Sequence, residues 1–126
     1  CLYPVTPLLT AKHLEDSFKI LSKFNATSSF PVAESPFPYQ RGLQVKNKRI
    51  YPLDKKMSLK RTQDLENIFY DLGQFYWVNV KKYLEEGRVW SSESTPLVLD
   101  KYELIDIDDL KDWKFAEEIY KLRNLN

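Results

Sequence analysis

Asp106 and Asp108, on either side of Ile107, form the pattern in this chain that comes closest to chemistry. The run Tyr102 to Ile107 reads as a strand, and residues two apart on a strand point to the same side, so the two carboxylates converge. Such a pair can hold Mg²⁺, which commonly takes one or two carboxylates and completes its shell with water and phosphate oxygens. The carboxyl end of a strand is also where α/β proteins usually bind ligands. A plainer reading stands beside this one: both residues lead into a helix that begins near Asp109, and one of them caps its free N–H groups.

Cationic and amide side chains supply the other candidates. Gln40-Arg41 and Lys60-Arg61-Thr62-Gln63 each border an expected loop, where a guanidinium fork can grip a carboxylate or phosphate with two parallel bonds. Taken alone, such residues are more often ordinary surface. In Gly73-Gln74-Phe75-Tyr76-Trp77, glycine permits close backbone approach and Gln74 sets an amide beside aromatic rings, although core packing explains Phe75 and Trp77 equally well. The single histidine, His13, falls on the expected outward face of a helix and is assigned no chemistry.

Several elements must position these residues. Leu2 to Val5 reads as the end of a buried strand, closed by Pro4 and Pro7. Thr10 suits the cap of a helix whose apolar face is Ala11, Leu14, Phe18 and Leu21. A strand is expected over Thr27 to Val32 and another over Tyr39 to Val45, with Lys46-Asn47-Lys48-Arg49 as a hairpin tip. Residues 54 to 72 are irregular. Gln74 to Val78 reads as an aromatic strand, Asn79 as the cap of a short helix through Glu86 ended by Gly87, and Leu97 to Leu99 as a further strand. The last helix carries Leu110, Trp113, Ala116, Ile119 and Tyr120 on one face, with Asp109 and Asp112 in capping-box spacing. Strands alternating with helices predict an α/β domain over residues 1–126, a mixed sheet flanked by helices. Its first strand lacks the neighbour that a parallel sheet would supply.

Composition narrows the functions. At 126 residues and 43% hydrophobic, the chain is long enough for one cored domain. Nineteen basic and eighteen acidic side chains leave a formal charge of +1, which gives no broad field for nucleic acid or an anionic membrane. Apolar runs such as Pro96 to Leu99 are far shorter than the roughly 20 residues that span a bilayer. One cysteine, Cys1, and one histidine exclude an internal disulfide and a Cys/His zinc site and suit a reducing cytoplasm. The start at Cys1, without an initiator methionine or signal peptide, reads as a chain cut in its middle.

In order along the chain, Tyr3-Pro4-Val5-Thr6-Pro7-Leu8, Arg61-Thr62-Gln63-Asp64-Leu65, Tyr70 to Trp77, and Asp106-Ile107-Asp108 followed by Asp112-Trp113 resemble the C-terminal half of the acylneuraminate cytidylyltransferase family. The resemblance covers nearly all of the chain. It implies the C-terminal portion of a Rossmann-like nucleotide-diphospho-sugar transferase fold, in which the anomeric hydroxyl of a nine-carbon acidic sugar attacks the α-phosphate of CTP and releases pyrophosphate. Asp106 and Asp108 would hold Mg²⁺ and serve catalysis, while Tyr3, Thr6, Gln40, Arg41, Arg61, Gln63 and Gln74 would surround the sugar and its carboxylate. It also implies a homodimer, with an arm from about residues 55–75. Gly73-Gln74-Phe75-Tyr76-Trp77 stands where sialic-acid members carry Asn-Gly-Ala-Ile-Tyr, and Tyr3 where they carry Gln, which favours a pseudaminic-type sugar over N-acetylneuraminate or legionaminate. The family's Gly-Gly-Ser-Lys-x-x-x-x-Lys-Asn loop for the CTP phosphates does not occur in these residues, so this stretch alone is expected to be inactive. Two other classes compete: a non-catalytic binding or oligomerisation module, and a glycosyltransferase using Asp-x-Asp for its metal.

Overall fold

The computed structural model describes residues 1–124, a mixed α/β arrangement with three α-helices. The chain forms two compact units, Cys1–Ala33 together with the residues from Asp71 onward, and Glu34–Tyr70.

The first unit is organised on β1 (Ser28–Glu34), which is buried along most of its length because it has partners on both sides. β6 (Thr95–Leu99) runs parallel to it, with Ser29 opposite Thr95 and Ala33 opposite Leu99. β5 (Trp77–Val78) runs antiparallel, with Ser29 opposite Trp77. Small side chains let this strand sit so deep. Ser28 Oγ lies within hydrogen-bonding distance of the Val89 carbonyl at 2.6 Å and of Ser94 Oγ at 2.8 Å, and Ser29 shares a 2.9 Å bond with Ser17 of α1.

The expected strand Gln74 to Val78 is split. Only Trp77 and Val78 lie beside β1, while residues 73–76 turn away from it toward the N-terminal segment. There Tyr3 N donates to Gln74 O at 2.9 Å and Tyr76 N to Cys1 O at 2.8 Å, around a bridge between Leu2 and Phe75. Gly73, at φ +62°, makes the departure possible, since an L side chain is disfavoured there.

α1 (Ala11–Phe24) opens on a capping box in which Thr10 Oγ1 accepts from His13 N and the His13 ring accepts from Thr10 N at 3.1 Å. That overturns the outward placement of His13. The ring is buried, and since Nδ1 accepts from Thr10, Nε2 carries the proton and faces Glu103 Oε1 at 3.0 Å. The buried face is therefore His13, Ser17 and Leu21: Leu21 is buried as expected, while the two turns before it bury the position next to Leu14 and Phe18. Phe18 is half exposed and packs its ring against that of Trp77, whose indole N–H donates to Leu14 O at 2.9 Å.

α2 (Val80–Glu86) is capped by Asn79, which accepts from Lys82 N, and ends on Gly87 in the left-handed region. α3 (Leu110–Asn124) covers the core with Ala116 and Ile119 beside Leu8, Ala33, Leu72, Leu104 and Ile105. Leu110, Trp113 and Tyr120 of its apolar face stay largely exposed, and with Pro7 and Ile107 the last two border an open apolar groove. None of the helices is long and apolar enough to cross a membrane, among the described residues.

In the second unit, β2 (Leu43–Lys46) and β3 (Arg49–Pro52) form a hairpin whose tip, Asn47-Lys48, has both φ positive, as a two-residue primed turn requires. The expected strand from Tyr39 begins only at Leu43. Residues 39–41 form a 3₁₀ turn instead, with Arg41 N bonded to Pro38 O and Gly42 N to Tyr39 O. Asp54 Oδ1 accepts from Lys56 N and Met57 N, starting the irregular stretch that the polar composition announced. β4 (Phe69–Asp71) then carries the chain into the first unit.

Because Ser17 and Ser29 are both fully buried, each hydroxyl depends on the other. Ser17→Ala and Ser29→Ala are each expected to cost about 1–2 kcal/mol, and the double variant clearly less than the sum. Urea unfolding of the four proteins of this cycle measures it, and strict additivity would show that the bond carries no coupling.

Candidate functional site: an acidic loop against a glycine

The segment bearing Asp106 and Asp108 is not a strand. Asp100 ends β6 and starts a turn instead: its carboxylate accepts from Tyr102 N at 2.8 Å and its carbonyl from Glu103 N at 2.9 Å. The carbonyls of Tyr102 and Glu103 then receive the Arg123 guanidinium from α3, both at 2.8 Å, so they are taken by a side chain and not by a neighbouring strand. Local turn chemistry outweighs the β preference of Tyr102, Leu104 and Ile105. Those last two side chains are nevertheless buried, and they anchor the irregular stretch that follows.

Asp106 and Asp108 are both exposed, with Ile107 between them packed against the core. Neither caps α3. That role falls to Asp109, whose Oδ1 accepts from Lys111 N at 2.6 Å and Asp112 N at 3.0 Å, while Asp112 Oδ2 accepts from Asp109 N and Asp108 N. The capping box expected from the Asp109/Asp112 spacing is formed, and it leaves the carboxylates of Asp106 and Asp108 outside it.

Gly73 is the floor beneath Asp106. A Cβ added there would lie 2.6 Å from Asp106 Oδ2 and 2.9 Å from its Cγ. Asp71 holds the same bend from the other side: Oδ1 accepts from Gly73 N at 2.9 Å, and Oδ2 accepts from the Tyr76 hydroxyl. Gln74 is wholly buried, its Nε2 donating to Leu72 O at 2.9 Å and to Ile105 O at 3.1 Å, while its Oε1 has no partner.

These contacts set the electrostatics. The Asp106 carboxyl is pushed above its ordinary value, first because the side turned to the protein is shielded from water, then by the charge of Asp108, with lesser contributions from Asp71 and Asp112. Tyr76 is also held above the usual phenol range, by burial and by its bond to the Asp71 carboxylate. Among the described residues, neither Asp106 nor Asp108 has an ion-pair partner. No group of three or more His, Cys, Asp or Glu side chains that could hold a metal ion occurs among the described residues. What Asp106 and Asp108 would offer a cation is two hard oxygen donors, and Mg²⁺ is an ion that commonly takes one or two carboxylates and its remaining ligands from water and phosphate.

The other expected site residues divide between the units. In the first, Tyr3 sets its ring 5.8 Å from that of Tyr76, and Thr6 is half-buried in a turn where its carbonyl accepts from Leu9 N. In the second, Arg41 reaches Thr62 Oγ1 at 3.1 Å and lines a pocket with Phe37, Tyr39 and Thr62. Gln40 donates to Glu66 O at 3.0 Å and leaves its Oε1 buried without a partner. Arg61 is spent on Asp64 through two bonds, at 3.0 and 3.3 Å, and Gln63 is exposed. Asp71 and Tyr76 were not singled out as site residues by the sequence. The signal for Asp71 was present in Asp71-Leu72-Gly73, the spacing of a side chain that accepts from the backbone two residues on, where glycine takes the left-handed position.

The raised Asp106 value has a definite sign. Folding disfavours its ionised form, so stability falls as pH rises from the ordinary carboxylate value of about 4 through the raised one. Asp106→Asn is therefore expected to raise the melting temperature modestly at pH 7 in the presence of a chelator, with the gain shrinking toward pH 4. Thermal melts of both proteins at the two pH values test this, and a destabilised variant at pH 7 contradicts it.

No family model matches the sequence. Pseudaminic acid cytidylyltransferases from two strains of Campylobacter jejuni subsp. jejuni, 81-176 and NCTC 11168, are each 31% identical to the chain over 125 residues, which is 98% of it. The chain spans about half the length of these curated relatives, 54%. A Helicobacter pylori protein named pseudaminic acid cytidylyltransferase and UDP-2,4-diacetamido-2,4,6-trideoxy-beta-L-altropyranose hydrolase is 31% identical over 120 residues, covering 93% of this chain and 23% of that protein. Over nearly its whole length, then, the chain is a homologue of proteins named pseudaminic acid cytidylyltransferase, aligned with their C-terminal part.

Proposed function

We propose that these residues form the sugar- and metal-binding half of a cytidylyltransferase that joins CMP from CTP to a pseudaminic-type nonulosonic acid and releases pyrophosphate. The fold completed by the rest of such a protein would be the Rossmann-like one implied by the sequence motifs. One observation carries the reading: in a chain homologous to enzymes of that name, Asp106 and Asp108 stand free of both helix capping and ion pairing.

Asp106 and Asp108 would hold Mg²⁺, whose chemistry is to neutralise phosphate charge and align an in-line displacement. The chain's own residues do the rest. Gly73 and Asp71 keep the acidic loop close to the backbone, and the Tyr3–Tyr76 ring pair offers an apolar wall for a sugar face. Tyr76 gives its hydroxyl hydrogen to Asp71 and so ties the ring pair to the glycine bend. In the second unit Arg41, whose guanidinium is only partly engaged by Thr62, is the proposed grip for an anionic substrate group, with Gln40, Arg61 and Gln63 as proposed sugar contacts, and in the first unit Thr6 is proposed as another.

The test is pyrophosphate release from CTP by the full-length protein with pseudaminic, legionaminic and N-acetylneuraminic acids. Turnover is expected with the first and a loss of about 10²-fold or more in kcat for Asp106→Asn or Asp108→Asn. Full activity and unchanged metal dependence in either variant removes that residue from the site. No pyrophosphate with any of the three acids removes the reaction.

The same reading makes the protein a homodimer through an arm around residues 55–75, a stretch in which Leu59 is 88% exposed. Sedimentation of the full-length protein is expected to give a dimer that Leu59→Lys weakens. A dimer indifferent to that change places the contact elsewhere.

A further inference from the structure

We infer that Gln74 is a positioning residue for Asp106, acting with Gly73 to clamp the acidic loop, and that it does not itself touch the sugar. This deepens the reading above and rests on it for the role of Asp106.

The argument begins with where the amide nitrogen goes. Gln74 has no exposed surface, and both hydrogens of its Nε2 are given to backbone carbonyls, Leu72 O at 2.9 Å and Ile105 O at 3.1 Å. The two acceptors fix which way the amide faces, since turning it over would set Oε1 against two carbonyl oxygens. Leu72 lies next to Gly73, and Ile105 lies next to Asp106. The side chain is thus a strut between the glycine bend and the acidic loop, whose next residues meet directly where Asp106 Oδ2 sits over Gly73.

The strut comes at an evident cost. Gln74 Oε1 is buried with no partner, a loss on the order of 1–3 kcal/mol. An apolar side chain would avoid that loss but would leave the Ile105 and Leu72 carbonyls short of a donor inside the core. Retaining an unsatisfied acceptor in order to supply two donors is sensible if the placement of the Ile105–Asp106 peptide matters. With Asp71 holding Gly73 N and Gln74 holding Ile105 O, the loop is gripped from both strands of the bend. A sugar hydroxyl could meet the side chain only at Oε1, the one amide atom without a partner, and that atom has no exposed surface.

Hydrogen exchange and steady-state kinetics on the full-length protein decide the matter, using Gln74→Met, which keeps the length of the side chain but loses both donors, and Gly73→Ala, which pushes a methyl against Asp106 from the other side. For both variants, faster exchange is expected at the amides of residues 105–108, with β1 protected as in the parent. A kcat lower by about tenfold or more should accompany this, with a KM for the sugar within about twofold. A raised sugar KM with unchanged exchange in Gln74→Met overturns the inference in favour of a direct contact. Faster exchange throughout β1 overturns it in favour of a merely structural role, and an unaffected Gly73→Ala overturns the clamp. If Asp106→Asn proves fully active, the catalytic reading falls, and the exchange pattern alone then decides whether Gln74 holds the loop.

Discussion

The insertion of Leu104 and Ile105 into the core is the constraint on which the acidic end of the first unit depends. These two side chains pull an irregular stretch of backbone against Leu72 and Ala116, so the polar groups of that stretch must be satisfied without a sheet. Arg123 serves the carbonyls before the pair, Gln74 serves the carbonyl of Ile105, and the capping box of α3 serves the amides after it. What is left over is Asp106 and Asp108, directed away from the core because Ile107 between them is directed toward it.

A chain built in this way separates stability from chemistry by a single residue's spacing. Inward and outward positions alternate from Ile105 to Asp108 although no strand is present, and that alternation leaves both carboxylates exposed, as a strand would have done. The physical cause differs. In a strand the ladder fixes the alternation, whereas here it is fixed by core packing at one end and a helix cap at the other.

How far the sequence could be read follows from the range of the interactions involved. Caps and turns are local, and Thr10, Asn79, Gly87, Asp109 with Asp112, and the Asn47-Lys48 tip all stand where their residue types place them. Faces were harder. His13 reads as polar and therefore outward, yet Thr10 and Glu103 satisfy both ring nitrogens, and a histidine so satisfied can be buried. Leu110, Trp113 and Tyr120 read as core and are largely exposed, because periodicity reports which residues share a face and not what lies against it. The break of Tyr102 to Ile107 depended on Asp100 and on Arg123, some twenty residues apart, and the bridge from Gln74 to Ile105 spans more of the chain still. No local propensity contains such contacts.

The carboxylates around Gly73 and the start of α3 are not equivalent, and the difference lies in the donors that each one has. Asp109 and Asp112 lie at a helix N-terminus, where free N–H groups and the helix dipole favour negative charge. Asp71 has a backbone N–H and a phenol hydroxyl as donors. Asp106 and Asp108 accept no hydrogen bond of that kind among the described residues, and shielding from water together with the charge of Asp108 pushes the Asp106 carboxyl up. In a group of like charges, the member with the fewest compensating donors gains most from a nearby positive charge, since burial costs an unpaired carboxylate more than a paired one. The loop therefore leaves two carboxylates less compensated than those of Asp71, Asp109 and Asp112, one of them directly over the glycine that leaves room for it.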